Sequence, residues 1–181
     1  MSAVEDLLDH FRTQLLVPWR DDVPAAGRVW LLWYDKSLER RVRGRIDEFR
    51  LATEASGRGW RHYDVAPIFA EWIVAQPWFE RIAKRPSQLE RVIPDFESEL
   101  ARRLRSQLSG CGANDLLAVT GVASLFGLTR ASSMIAQVAS KVRGRMLVTF
   151  PGTHVNGIYR LLDARDGWNY HAIPIPSSDA G

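Results

Sequence analysis

Val29-Trp30-Leu31-Leu32-Trp33-Tyr34 is an unbroken apolar run that stops at Asp35. Six apolar residues without alternation describe a strand buried on both faces, as in a mainly parallel sheet covered by helices on each side. Leu38, Val42, Ile46 and Phe49 then recur at helical spacing until Ser56-Gly57-Arg58-Gly59, so this strand passes into a helix. A shorter strand is expected around Trp60 to Tyr63. Beyond it Asp64 can cap a helix with Pro67 near its start and Ile68, Phe69, Trp72 and Ile73 facing inward.

Working outward, Val4, Leu8, Phe11 and Leu15 predict an amphipathic helix over 3–16, ending before Pro18. A loop rich in Asp, Pro and Gly links Trp19 to Gly27. Downstream, Ser87 and Glu90 have capping-box spacing ahead of the stripe Leu89, Ile93, Phe96, Leu100, Leu104 and Leu108, in which Pro94 either kinks or restarts the helix. Asp115 to Thr120 reads as another central strand, turned by Gly121, and Met134, Ile135, Val138 and Val142 as one more helix. Met146 to Phe150 reads as a strand closed by Pro151-Gly152, with weaker strands at Tyr159 to Leu162 and Tyr170 to Ile175. The alternation predicts an α/β fold: a single three-layer domain over 1–181, with a mainly parallel sheet of about five strands, helices on both faces and a flexible tail at 176–181.

Composition narrows the function classes. With 46% hydrophobic and 25% charged residues, the 181-residue chain can bury a sizeable core without staples. The net charge of +3 is mild, and its densest basic cluster, Arg40, Arg41, Arg43, Arg45 and Arg50, is diluted by Glu39, Asp47 and Glu48. Direct nucleic-acid binding is therefore not favoured. The lone Cys111 cannot form an internal disulfide, and no Cys/His set has zinc-site spacing. An acidic N-terminus and the lack of an apolar run of ~20 residues argue against export and membrane insertion, so a cytoplasmic location is expected.

Functional groups of an open parallel sheet gather outside the carboxyl ends of its strands. Three segments meet that condition here: Tyr34-Asp35, Thr120-Gly121 and Phe150-Pro151-Gly152. Asp35 either positions a ligand or caps the following helix. Arg130 and Arg160 stand beside glycine-bearing turns and could clamp a carboxylate or phosphate, or form structural ion pairs. No G-x-x-x-x-G-K-[ST] loop and no G-x-G-x-x-G is present, and Ser124 lacks the glycines of a nucleophile elbow. His62, His154 and His171 lie on separate segments without fixed spacing, so no catalytic set and no cofactor is assigned. Trp78 and Trp168, beside Pro77 and Gly167, and His154 in the 151–157 loop are candidate interface residues.

The carboxyl-terminal third contains Val119-Thr120-Gly121-Val122, Arg130, Phe150-Pro151-Gly152, Gly157, Arg160-Leu161 and Asn169-Tyr170-His171-Ala172. In order and spacing this series resembles the BrxB family of bacteriophage-exclusion (BREX) defence systems, and Trp33-Tyr34-Asp35 resembles that family's first strand end. Thr153-His154-Val155-Asn156 departs from it in lacking an acidic-aromatic pair. The resemblance implies a small component of a phage-defence complex, with no activity defined for it, partnered with the alkaline-phosphatase-like PglZ and other subunits; the leading expectation is a non-catalytic assembly or adaptor role. The rim residues Asp35, Thr120, Gly121, Arg130, Pro151, Gly152 and Arg160 would then shape the binding surface. An enzyme or nucleotide sensor using the same crevice is the alternative, and a nucleic-acid-binding module the third reading.

Overall fold

The computed structural model describes residues 2–162, 164 and 167–177, apart from the Trp168 side chain. Residues 178–181 of the expected flexible tail lie outside that range. In chain order the elements are α1 Ala3–Leu15, β1 Val29–Tyr34, α2 Glu39–Gly44, α3 Ile46–Ala55, β2 Gly59–Asp64, α4 Ile68–Val74, α5 Phe79–Lys84 and α6 Ile93–Ser109. They continue with β3 Asp115–Thr120, α7 Ala131–Val138, β4 Arg145–Val155, β5 Ile158–Leu161, β6 Trp168–Asn169 and β7 Ile173–Ile175. Five strands lie in the order β2-β3-β4-β1-β7, each pair parallel, and β5 and β6 extend antiparallel from the far end of β4.

The two-residue period of a strand divides the core into two layers. Val29, Leu31, Leu117, Val119, Met146 and Val148 face α4, α6 and α7, packing on Ile68, Phe96, Leu104 and Ile135. Trp30, Leu32, Leu116, Ala118 and Leu147 face α1, α2 and α3, where Phe11, Val42 and Phe49 are fully buried. The chain leaves β1 through α2 and α3 on one side and enters β2 at the far edge. It then returns through β3 and β4 on the other side, so the α/β/α fold is a single domain of the expected class.

Three local expectations are corrected. The helix expected from Leu38 onward is interrupted: α2 ends at Gly44, a poor helix former, and Arg45 at φ −113°, ψ 16° is not helical. The Arg45 guanidinium donates twice to Glu48, at 2.6 and 2.7 Å, and so ties the break to the first turn of α3. Ser87 and Glu90 form no capping box, because Pro86–Arg91 is a 3₁₀ turn and α6 starts at Ile93. Pro94 sits in that first turn, where its missing N–H leaves no bond unmade.

The third correction bears on function. Pro151-Gly152 does not close β4, which continues to Val155 and turns back into β5 through Asn156 and Gly157. Both turn residues have positive φ, 51° and 76°. That is the geometry an Asn-Gly hairpin turn requires.

Candidate functional site

The parallel register brings the predicted segments to one rim. Tyr34 pairs with Pro151 and Val119 with Val148, so Asp35, Thr120-Gly121 and Phe150–Gly152 all lie at the carboxyl ends of the central strands. After β1 the chain turns towards α2; after β3 it turns to the opposite face, where Val122 and Leu125 join the α4/α6/α7 core. The strand between these diverging exits is β4. In open α/β sheets this switch point is where a ligand crevice forms.

Here β4 runs on through the switch point and carries a hairpin over it. Pro151, Gly152 and His154 are buried, and across the ladder so are Tyr159 and Leu161. The His154 ring stacks on Tyr159 with centroids 4.2 Å apart and planes 24° apart. Phe150 meets Tyr159 edge-on at 5.8 Å, and Trp33 lies 5.9 Å from His154. Burial lowers the His154 pKa and pushes the Tyr159 hydroxyl up to about 12. Gly152 is needed because a Cβ there would sit 2.0 Å from the Arg160 carbonyl oxygen of β5.

The other site residues take distinct roles. Asp35 caps the turn after β1, accepting from the Ser37 N–H at 2.9 Å, and hydrogen bonding from Ser37 holds its carboxyl below the ordinary value. Thr120 is buried, with its hydroxyl 2.8 Å from His62 Nε2. Gly121 has φ 81°, and a Cβ there would lie 2.2 Å from Asp64 Oδ1 and 2.8 Å from the Ala66 nitrogen. Arg130 precedes α7, its carbonyl accepting from the Met134 N–H. Arg160 is exposed on β5 opposite Thr153.

Of the candidate interface residues, Trp78 lies apart from these. Trp78 packs edge-on against Trp72 at 5.8 Å, and Pro77, Glu80, Arg81, Lys84 and Arg85 surround it in the α4–α5 region. His154 is an internal stacking residue of the hairpin, and the Trp168 side chain lies outside the described residues.

Sequence reasoning missed two features of this rim. One is a polar group on the α2 side. The Tyr34 hydroxyl donates to Glu39 at 2.6 Å, and burial together with the Glu39 charge drives its pKa well above the usual range. One helical turn later, Arg43 pairs with Asp64 of β2. The i, i+4 spacing of Glu39 and Arg43 was the available signal, since it puts both on one helix face. The other feature is the hairpin tip, where Thr153, Val155, Asn156 and Gly157 are exposed, Val155 by 56%. Phe126, 48% exposed in the β3–α7 connection, adds a second apolar group. The Asn156-Gly157 dipeptide was a readable hairpin signal.

Neither protein-family models, nor curated proteins, nor solved structures contain a match to this chain. Among the described residues no helix is long and apolar enough to cross a membrane.

Proposed function

We propose that the chain is a non-catalytic assembly or adaptor component that docks a protein partner through its carboxyl-end rim. The observation that carries this reading is the β4–β5 hairpin at the switch point, where buried Pro151, Gly152, His154 and Tyr159 fill the place at which open α/β sheets form a ligand crevice. What the rim offers is a raised ridge of exposed Val155, Thr153 and Arg160, near Asp35. Apolar and charge-assisted groups on a braced ladder suit protein docking, because little ordering entropy is lost when it binds. The arginine could contribute about 1.5–3 kcal/mol through a charge-assisted bond to a partner carboxylate.

The motif series from Thr120 to Ala172 supports a finer reading, a BrxB-like subunit of a phage-defence complex whose partner resembles the alkaline-phosphatase-like PglZ. Co-expression with the other proteins of such a system tests it. The wild-type chain should co-purify stoichiometrically with the phosphatase-like member, and Val155→Asp combined with Arg160→Glu should abolish retention without unfolding the chain. A chain that elutes alone beside every candidate subunit would refute the assignment. Nucleotide-dependent thermal stabilisation lost in Asp35→Ala would favour the ligand-binding alternative instead.

A further inference from the structure

The amino-end rim, opposite the proposed docking surface, gathers arginines from neighbouring strands. Arg145 opens β4, and the register Val29↔Met146 sets Arg28 beside it. On the other flank Leu116 pairs with Arg145, and Gly59 pairs with Asp115. Arg58 therefore lies beside Asn114, whose side-chain oxygen accepts a hydrogen bond from it. By strand alternation Arg145 shares the sheet face of Leu147, and Trp19, edge-on to Trp30 at 5.6 Å, lies on that same side. Trp19 covers the row, with the Arg58 and Arg145 guanidinium carbons 4.4 and 5.2 Å from its ring centre.

This cluster carries charge that the described protein groups do not balance. Arg145 is only 5% exposed, yet among the described residues its one side-chain hydrogen bond runs from Nη1 to the Gly144 carbonyl at 2.9 Å. None of the three arginines forms an ion pair with a described carboxylate, and the acidic group acting on Arg145 is the exposed Asp21. Arg28 spends its donors on the carbonyls of Val23, Val142 and Asp21, so it contributes charge more than free N–H groups. Burial, then the neighbouring Arg28 and Arg58, disfavour the charged form of Arg145. Enclosed side-chain nitrogens without a partner are, among the described residues, Trp19 Nε1 and Trp30 Nε1. The unbonded N–H groups of Arg145 therefore open towards solvent, with Trp19 Nε1 an unused donor in the same cluster.

We propose that this cluster, centred on Arg145 and flanked by Arg28, Arg58 and Trp19, binds a phosphate-type dianion. A planar guanidinium fork matches two phosphate oxygens, and cation–π contact with Trp19 fixes its plane. A dianion offsets two of the three positive charges, whereas a single carboxylate would leave two uncompensated. The same chemistry is supplied by inorganic phosphate and by the phosphate of a nucleoside monophosphate.

Thermal unfolding with inorganic phosphate, with AMP and with potassium chloride at matched ionic strength tests the site. Phosphate, AMP or both should raise the melting temperature saturably, by about 5 °C when the anion is in large excess over its Kd. Response to phosphate assigns the free ion, and response to AMP alone assigns a monoester. Arg145→Met should lose the response, as burying a methionine there removes the charge the anion balances. Should that variant not fold, Arg58→Gln, on a half-buried side chain, should weaken binding at least tenfold by calorimetry. Stabilisation equal to that in chloride, or undiminished in the variants, overturns the proposal.

Discussion

Replacing Gly152 with alanine should unseat the hairpin that distinguishes this rim. The new Cβ would lie 2.0 Å from the Arg160 carbonyl oxygen, where approaches below 3.0 Å are essentially never tolerated, so one backbone must move by an ångström or more. The obstructing atom belongs to β5 and cannot rotate away as a side-chain end would. Relief therefore separates β5 from β4 beside the Gly152–Leu161 pair. Overpacking of this kind costs about 1–3 kcal/mol, and each lost ladder bond adds about 1 kcal/mol. Against this, alanine lowers the entropy of the unfolded chain by about 0.4–1 kcal/mol. The net expectation is a destabilisation of about 2–3 kcal/mol, read as a lower urea midpoint by tryptophan fluorescence, to which Trp33 beside His154 contributes. Gly44→Ala is the matched control: nothing lies within 4 Å of its Cβ position, and alanine in α2 should stabilise by about 0.4–1 kcal/mol. A Gly152→Ala midpoint equal to wild type, or equal losses in both variants, would refute the steric reasoning.

Lowering the pH should loosen the same region through His154. Its folded pKa lies below 6.5 because burial penalises the cation, so stability is complete above that value and falls as the pH drops through it, where the unfolded chain binds the proton first. His154→Phe should flatten that part of the pH–stability curve, and an unchanged slope would exclude the histidine as its source. Glu99 acts in the same direction at lower pH: hydrogen bonds from Arg102 and Arg103 hold it at about 2, against an ordinary 4.5. Its contribution is full above pH 4.5 and lost towards pH 2, and because Arg102 is largely exposed Glu99→Gln should cost only about 1 kcal/mol at neutral pH. Phe11→Ala, on a fully buried ring 5.2 Å from Phe49 and 6.4 Å from Trp30, should destabilise by about 3–5 kcal/mol in chemical unfolding.

The elements that were legible in the sequence are those whose burial is written locally. Val29–Tyr34 and Asp115–Thr120 read as central strands because both faces are covered, and α6 read as a helix from its stripe alone. Strand order was not legible: β1 and β2 are joined by a short helical connection yet are separated by β3 and β4, an arrangement set by contacts distant in sequence. Pro151-Gly152 was read as a stop because both residues usually weaken strands. In the fold Pro151 keeps a ladder role through its carbonyl, which accepts from the Leu162 N–H at 2.8 Å, and Gly152 provides the clearance β5 needs. The rim residues were found because strand ends are predictable, whereas the Tyr34–Glu39 bond and the buried Arg145 depend on which helix or loop lies above the sheet.

Hydrogen exchange of the chain with and without the phosphatase-like protein proposed as its partner tests the docking surface most directly. Added protection confined to residues 151–161, with Asp35 to Ser37 and Gly121 to Phe126, is the expected footprint. Protection centred on the exposed α1–α3 face around Leu16 and Leu51, or none at a concentration where the complex forms, would contradict it.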